Sequence, residues 1–526
     1  MNFSISDLDL SIIIGYLVVV MAIGLWVSRK THDGDDLFLA GRKLGWASIG
    51  FSLFASNISS TTLIGLTGAA YVWGIAVSNY EWMAAVVLGL GCIIIIPLYL
   101  QARVTTVPEF LEYRFDRRSR YYFSGLILVA NIFIDTAGTL FAGAMVLTTF
   151  FPEIDLYTAC IMLALFAGIY TAAGGLAAVV YTDVIQAIIL LFGASFVTYY
   201  AFAEVNFSWA YVVSQVESSQ LSLFLPNDDP NLPWLGTLTG VPILGFYFWC
   251  TNQFITQRML GAKNLQHARW GAIFAGFLKL TVLFIMVIPG VMASVFMPGL
   301  ETGDMVFPSL IKTLLPVGII GLVLAALMAA IMSSIDSTLN SAATLITIDF
   351  IKPNLKNISS TRIMWIGRAA IIAFMIIAVL FAPTIANFKG LFNYLQVVLS
   401  YLMPPMAVLF SVGVLWKKGT PTGAFASLVA SHLISVAIFF TNVIFEITNI
   451  HFTVVAGILY LVGAIVFVLV SWLTSGELTN PAYSGQKYTF NKSMLQEVPG
   501  TPWWKDYRFL IAGMLIATLV TVIPFR

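Results

Sequence analysis

Long apolar runs constrain this chain more than any other feature. A run of about 20 apolar residues can cross a bilayer as a helix, and such runs recur along almost the whole sequence. Only 10% of the 526 residues are charged and 59% are hydrophobic, whereas soluble globular proteins carry about 25% charged residues. The chain is therefore predicted to be an all-α polytopic membrane protein embedded in a lipid bilayer. About fourteen transmembrane helices are predicted, at residues 9–28, 46–74, 80–100, 121–150, 155–173, 178–204, 236–257, 268–297, 316–349, 360–384, 388–415, 420–441, 451–475 and 508–526.

The basic residues test this count, because short cytoplasmic loops collect Lys and Arg. If the N-terminus lies outside, every odd-numbered loop is cytoplasmic. The 26 Lys and Arg residues then fall in those loops or at the adjoining span ends, apart from Lys279, Lys312, Lys389 and Arg526. The pattern predicts that the N- and C-termini both lie outside, in a multi-pass protein of the plasma (inner) membrane.

The chain is predicted to form one membrane domain without a separate soluble module. The first residues, MNFSISDLDL, lack the basic flank of a cleavable signal peptide, so the first span is expected to be retained. Many transporters carry inverted repeats that show only as a pattern of spans. The predicted parts are a first span and loop (1–45), a first five-helix repeat (46–204), an external loop (205–235), a second five-helix repeat (236–415) and peripheral helices (416–526).

The cysteines and histidines, which an enzyme or a metal site would require in clusters, are scattered along the chain. The three cysteines, Cys92, Cys160 and Cys250, all fall within predicted spans and are expected to be buried small residues. The four histidines show neither zinc spacing nor a nucleophile–base pair. A net charge of +1 gives no indication of a nucleic-acid partner. An intramembrane enzyme and an organic cofactor are therefore not expected, and the oligomeric state is left open.

One predicted span has an unexpectedly polar middle. Residues 55–62 read ASNISSTT, and these short polar side chains compete with the helix for backbone hydrogen bonds. One interpretation is a helix that packs through small residues, as membrane interfaces favour. The other is an unwound hinge whose freed carbonyls bind a cation, since a broken helix survives in a membrane only where it lines a protein cavity.

A second polar stretch, AAIMSSIDSTLNSAA at 329–343, supports the hinge interpretation. Ala330, Ser333 and Ser334 are spaced i, i+3 and i+4, so they share one helix face. With the carbonyls of Ala55 and Ile58 they would supply about five oxygens, the ligands that hard cations prefer. Such a shell without formal charge suits a weakly held monovalent ion. The alternative is that both serines bond only to their own helical turn.

Charged residues inside predicted spans point to function, since each costs ~2.5–3.5 kcal/mol on insertion scales. The candidates are Glu81, Asp135, Lys279 and Asp336, while Asp183 is placed near the inner surface. Glu81 and Lys279 could form a purely structural ion pair. Together with the amide of Gln396, however, they offer the donors and acceptors that a polyhydroxylated solute requires.

Eight motifs in order resemble the sodium/solute symporter family, in particular its sodium–glucose cotransporter branch. The similarity runs from about residue 30 to 420. The motifs are SLFASNIS, YEWMA, VPEFLEYRF, GGLAAVVYTDVIQ, FYFWCTNQFITQRMLGAKN, GFLKLTVLFIMVIPG, SSIDSTLNSAATLITIDF and FNYLQVVLSYLMPP. The resemblance implies a five-plus-five inverted repeat (a LeuT-like fold) with flanking helices.

The resemblance also implies site residues. Sodium, the coupling ion, would be bound by Ala55, Ile58, Ala330, Ser333 and Ser334. The solute would be bound by Asn57, Glu81, Lys279, Gln396 and the gating aromatic Phe248, which is followed by Trp249. Thr62 stands where the family carries a sugar-binding Gln or His, and Phe248 lacks the hydroxyl of the usual Tyr.

The resulting prediction is a sodium-coupled symporter of a monosaccharide. A different solute, such as an inositol, a carboxylate or an amino acid, is the alternative, as is a transport-dead sensor of the same fold. Asp336 stands where sugar transporters carry Thr or Ala. Asp336 and Asp183 are candidates for a second ion site or for gating, and the alternative for Asp336 is a structural pairing with an Arg or a hydroxyl.

Overall fold

The computed structural model describes residues 5–355, 358–387, 391–480, 483–497 and 500–525. Lys389 and Arg526, which the charge pattern assigns to the outside, lie outside these residues. Across the described residues the backbone is almost entirely helical, with two isolated β-bridges, Leu44 to Ala262 and Leu225 to Pro233, so the all-α prediction is confirmed. The α-helices are α1 (Asp7–Ser28), α2 (Gly34–Leu39), α3 (Trp46–Asn57), α4 (Ser60–Trp73), α5 (Asn79–Ile93), α6 (Ile95–Ala102), α7 (Val107–Arg114), α8 (Arg117–Val129), α9 (Ala137–Phe150), α10 (Leu156–Glu204), α11 (Trp209–Gln215), α12 (Trp234–Phe246), α13 (Gln253–Leu260), α14 (Leu265–Val282), α15 (Ile288–Phe296), α16 (Val306–Leu314), α17 (Ile319–Leu345), α18 (Ser360–Phe381), α19 (Leu391–Leu402), α20 (Pro404–Leu415), α21 (Pro421–Phe439), α22 (Phe452–Leu473) and α23 (Tyr507–Val522).

Helix length and the charge pattern give different numbers of spans. Ten helices among the described residues are long and apolar enough to cross a membrane, or up to eleven if the bent pair Leu395–Leu402 and Pro404–Leu415 counts as one span. Helices occupy each of the fourteen predicted segments, and α10 covers two of them, 155–173 and 178–204, on either side of a kink at Gly175. The count of fourteen and the position of the termini stay predictions.

Three breaks interrupt the long helices, two of them inside the predicted spans 46–74 and 236–257 and one between the spans 155–173 and 178–204. Ile58 and Ser59 are extended between α3 and α4 (ψ 93° and 174°). Gly175 breaks α10 with φ +56°, where a Cβ would lie 2.2 Å from the carbonyl oxygen of Leu37. Asn252, also extended, separates α12 and its π-helical end from α13. Within the two spans, such backbone is tolerated only when protein surrounds it.

Helix α17 forms the centre of the protein, since every residue from Val323 to Leu345 is buried. Helix α10 packs closely along it, and Gly193 lies against the Cβ of Ala326. The peripheral helices instead expose large apolar side chains, such as Leu433 on α21 and Trp472 on α22. In a soluble protein such apolar side chains would be buried. Here they are exposed at the periphery, where lipid would surround them.

The start of α17 is fixed by a carboxylate from another helix. Asp9 of α1 accepts hydrogen bonds from the backbone N–H groups of Gly318 and Gly321, both at 2.7 Å. Helix N-termini leave such donors unpaired and carry a partial positive charge, so a carboxylate stabilises them. Helix α1 thereby anchors the helix that carries Ala330, Ser333 and Ser334.

Candidate functional site

The break between α3 and α4 turns the carbonyl of Ala55 toward α17. Ser59 caps α4 by accepting a hydrogen bond from the Thr62 N–H at 3.2 Å, and its extended backbone ends the hydrogen-bond ladder of α3. The Ala55 carbonyl instead accepts a hydrogen bond from the Ser333 hydroxyl at 3.0 Å. The polar middle of this span is therefore unwound, as the second interpretation of the sequence predicts, while cation binding by its carbonyls stays a prediction.

Four of the five predicted sodium ligands meet in this contact. The Ser333 hydroxyl also lies 3.0 Å from the Ala330 carbonyl, to which the Ser334 hydroxyl donates at 3.1 Å. The fifth, Ile58, is fully buried at the break itself. Both serines do bond to their own turn, as the alternative states, but Ser333 reaches across to α3 as well. The cluster of neutral oxygens fits a weakly held monovalent cation.

A cavity of about 160 Å³ adjoins this cluster. Ser334 borders it, so one of the predicted sodium ligands faces the cavity directly. Six of the seven predicted solute residues border it as well, namely Asn57, Thr62, Glu81, Phe248, Trp249 and Gln396. The remaining lining residues are Ser56, Ser59, Thr61, Tyr80, Asp135, Thr139, Val241, Leu244, Gly245, Tyr247, Phe254, Thr338, Leu395 and Leu399.

Lys279, the seventh predicted solute residue, lies behind the cavity wall. Its side chain is only 1% exposed and forms an ion pair with Glu81. It also donates a hydrogen bond to the side-chain oxygen of Asn57. The ammonium therefore fixes two solute-facing side chains and cancels the charge of one of them.

Aromatic rings form one wall of the cavity. The rings of Phe248 and Trp249 lie edge to face at 5.3 Å, and Phe248 meets Phe254 at 5.7 Å. The Lys279 ammonium lies 5.9 Å from the centre of the Trp249 ring. The π-helical turn Tyr247–Thr251 and the break at Asn252 place these rings, and both are features that sequence periodicity does not reveal.

Thr62 contributes less to the cavity than its position suggests. Its hydroxyl donates a hydrogen bond to the carbonyl of Asn57 at 3.2 Å and lies 3.2 Å from the Ser59 hydroxyl. The side chain therefore stabilises the hinge in addition to bordering the cavity.

Asp183 belongs to a buried polar network beside the hinge. Its carboxylate accepts hydrogen bonds from Ser52 at 2.5 Å and from Ser56 at 3.2 Å. It also forms an ion pair with Arg258 at 3.3 Å. Arg258 is fully buried, and its guanidinium donates to Ser52, Ser56 and Ser337.

Sequence reasoning missed Arg258, because it was counted among the basic residues of the cytoplasmic loops. The one available signal was Asp183 near the end of a span, since a carboxylate there needs a cationic partner. Nothing in the sequence identifies which Arg supplies it. Tyr80 and Tyr247, which border the cavity, were also missed.

Asp336 is paired with hydroxyl groups. It accepts a hydrogen bond from Tyr170 at 2.5 Å and one from Ser337 at 3.1 Å. Ser337 in turn lies 3.0 Å from Ser56, which contacts Asp183. Asp336 therefore takes no part in the Ser333–Ala55 hydrogen bond and joins the network of Asp183 through Ser337.

Comparison with known proteins agrees with this arrangement of hinge, cavity and buried charges. The family model described as "Sodium:solute symporter family" matches residues 37–431, which is most of the chain. The chain belongs to the sodium:solute symporter family. This assigns it to the sodium-coupled membrane transporters, and the resemblance found in its motifs is confirmed.

Similar proteins are known for two kinds of solute. Sodium/glucose cotransporter 1 of Oryctolagus cuniculus is 35% identical over 515 residues, which cover 89% of this symporter and 78% of the relative. Sodium/myo-inositol cotransporter 2 of Homo sapiens is 34% identical over 517 residues, which cover 89% and 76%.

Solved structures show the fold of the symporter. A substrate-bound Na+-coupled sialic acid symporter superposes with a TM-score of 0.81 at 22% identity, covering 89% of this chain and 98% of that one. Mhp1, a nucleobase-cation-symport-1 family transporter, gives a TM-score of 0.57 at 12% identity, with coverages of 88% and 98%. The LeuT-like architecture implied by the motifs is thus supported.

Proposed function

We propose that this symporter imports a small polyhydroxylated solute, with a glucose- or galactose-like monosaccharide as the best candidate, driven by sodium. The observation that carries the proposal is the position of Ser334. Its hydroxyl belongs to the cluster of oxygens that suits sodium, and the same residue borders the cavity. Ion and solute would therefore bind side by side, as coupling requires.

Alternating access follows from the hinge. Sodium between Ala55, Ile58, Ala330, Ser333 and Ser334 would hold the α3–α4 break against α17, and Asn57 is the last residue of α3 before that break. Since Asn57 is also bound by Lys279, the ion and the Glu81–Lys279 pair both position it. Loss of sodium would release the break from α17 and loosen the solute contacts, because binding energy can shift a conformational equilibrium only through such differential contacts.

The charge of the cavity wall supports a neutral solute. A carboxylate solute would require an unpaired cation, and Lys279 is committed to Glu81. The carbonyls, hydroxyls and amides around the cavity instead suit hydroxyl groups, for which a buried unpaired partner costs ~1–3 kcal/mol. A screen of thermal stability in sodium with glucose, galactose, mannose, fucose, inositol and sialic acid would identify the solute.

Inositol is the second candidate solute, since relatives at similar identity are named as myo-inositol cotransporters. A transport-dead sensor would keep the same binding residues and is distinguished by function alone. Proteoliposomes that exchange labelled for unlabelled solute by counterflow contain a transporter, whereas a sensor would bind the solute without exchanging it.

We expect radiolabelled solute uptake to need an inward sodium gradient and to fail with potassium or choline. Ser334→Ala should raise the half-saturating sodium concentration about five- to tenfold, because one neutral oxygen ligand contributes roughly 1 kcal/mol. The measurement is the sodium dependence of initial uptake rates. Ser195→Ala is the matched control, since that serine is exposed and bonds only to its own turn. Equal uptake without sodium would contradict the proposal.

Asp336 and Asp183 are proposed as a second ion site or a gate. If Asp336 contributes to a second cation site, Asp336→Ala should lower the Hill coefficient for sodium toward one, whereas Tyr170→Phe, which removes only a hydrogen bond, should lower it less. The measurement is the sodium dependence of uptake at several pH values. A coefficient near one in wild type and in both variants, with an unchanged pH dependence, would assign Asp336 to structure alone.

A further inference from the structure

The bend between α19 and α20 interrupts a helix that borders the cavity. The two helices meet at an angle of 46°, and Met403 between them is followed by Pro404 and Pro405. A proline has no backbone N–H, so it cannot donate to the carbonyl four residues before it. For Pro405 that carbonyl belongs to Tyr401. Gln396 of α19 borders the cavity just before the bend, so the bend fixes the direction from which this side chain reaches the cavity.

A serine of α21 takes the place of the N–H that Pro405 lacks. The Ser435 hydroxyl donates a hydrogen bond to the Tyr401 carbonyl at 2.6 Å. Both residues are buried, and a carbonyl without a donor is costly inside a membrane. Ser435 therefore meets a requirement that the proline creates.

A histidine of α21 contacts the next carbonyl at the bend. In a regular helix the Met406 N–H would donate to the Leu402 carbonyl, but here it donates to the Met403 carbonyl at 3.1 Å. The Leu402 carbonyl oxygen instead lies 2.9 Å from Nε2 of His432. The other ring nitrogen, Nδ1, lies 2.7 Å from the carbonyl oxygen of Leu428. Since Leu428 lies within α21, where the helix backbone supplies a donor, the ring N–H is assigned to Nε2.

Burial distinguishes His432 and Ser435 from their neighbours on α21. They are 8% and 4% exposed, whereas Leu433 and Val436 next to them are 67% and 54% exposed. The ring of His432 also contacts Tyr122 of α8, with ring centres 5.5 Å apart. Buried polar side chains are costly unless their hydrogen bonds are formed. The two donors on the inner face of this lipid-exposed helix are therefore matched to the two carbonyls at the bend.

We propose that His432 and Ser435 are positioning residues, which support the α19–α20 bend through its carbonyls and thereby hold Gln396 in place for the solute. The inference rests on the proposed function, because it concerns a predicted solute contact. It gives a role in solute binding to α21, a helix that the sequence places outside both five-helix repeats.

The test is solute uptake by proteoliposomes under a sodium gradient, with labelled glucose or labelled myo-inositol, whichever the wild type transports. Ser435→Ala and His432→Leu remove a donor, whereas Ser435→Thr and His432→Gln retain one. Ser427→Ala is the matched control, because Ser427 is a buried serine of α21 that donates to the Gly463 carbonyl of α22 at 2.8 Å. A sodium-induced rise in thermal stability, measured without solute, shows which variants are folded.

Ser435→Ala and His432→Leu are each expected to raise the half-saturating solute concentration about five- to tenfold, with a smaller change in the maximal rate. The loss of one hydrogen bond to a buried carbonyl corresponds to a change of about this size. The sodium-induced rise in thermal stability should stay as in the wild type, because the predicted sodium ligands lie outside α19. Ser435→Thr, His432→Gln and Ser427→Ala should transport as the wild type does.

A second substitution tests the cause of the defect. Pro405→Ala provides a backbone N–H four residues after Tyr401, while Pro404 still bends the helix. Combined with Ser435→Ala, it should return the half-saturating solute concentration toward the wild-type value, because the Tyr401 carbonyl regains a donor.

The inference and the proposed function fail in distinguishable ways. If a folded Ser435→Ala or His432→Leu protein keeps the wild-type half-saturating concentration, or if Ser427→Ala raises it equally, α21 does not position the solute site and the proposed function stands. The same conclusion follows if Pro405→Ala restores nothing in the double variant. If the wild type takes up neither labelled polyol with sodium, the proposed function fails and the inference fails with it.

Discussion

Lys279→Met is expected to abolish sodium-driven solute uptake and to lower the free energy of unfolding by about 3–5 kcal/mol. The reason is that Lys279 is almost fully buried and pairs with Glu81, and removing one partner of a buried pair leaves the other charge uncompensated. Asn57 would also lose the hydrogen bond that orients it. Uptake in proteoliposomes and thermal denaturation of the purified protein measure the two effects.

A double variant separates charge from packing at this pair. Glu81→Gln combined with Lys279→Met removes both charges, so it should recover much of the lost stability while leaving uptake defective. Lys263→Met is the matched control, because Lys263 is exposed in the loop before α14. Wild-type stability in Lys279→Met alone would show that the ion pair is not formed in the membrane.

Arg258→Met is expected to have an effect of similar size on stability. The guanidinium is buried and holds together Asp183, Ser52, Ser56 and Ser337. Its loss would leave the Asp183 carboxylate without a cation next to the hinge, at a cost of about 3–5 kcal/mol. The network joins α3, α10, α13 and α17, so we also expect the coupling between sodium transport and solute transport to weaken. Solute efflux that no longer depends on sodium would show this loss of coupling.

The control for Arg258 uses the same substitution elsewhere. Arg362→Met removes an exposed arginine near the start of α18 and should change neither stability nor uptake. Asp183→Asn combined with Arg258→Met should be more stable than Arg258→Met alone, since the remaining partner is then neutral. Equal thermal stability of Arg258→Met and wild type would exclude the network as a structural link.

Local patterns in the sequence were sufficient to predict the fold class and the two polar stretches, 55–62 and 329–343, that form the proposed sodium site. Apolar runs of bilayer length placed helices in the right segments, because each run satisfies its own backbone hydrogen bonds and needs no distant partner. The hinge at 55–62 and the shared face of Ala330, Ser333 and Ser334 follow from short-range competition for hydrogen bonds and from helical spacing. The family motifs then indicated which side chains share the cavity.

Other features depend on which helices pack together, and only the tertiary structure decided them. The ion pair of Arg258 with Asp183 and the hydrogen bond of Tyr170 to Asp336 join residues far apart in sequence, and no sequence pattern names these partners. For Lys279 the sequence offers Glu81 as a possible partner, and the structure shows the pair formed. The π-helical turns that aim Asp135 and Phe248 have no periodic signature either. A charged residue in a membrane requires a partner, but the sequence around it does not show which residue that partner is. The choice of partner is made by the packing of α3, α10 and α13 around α17.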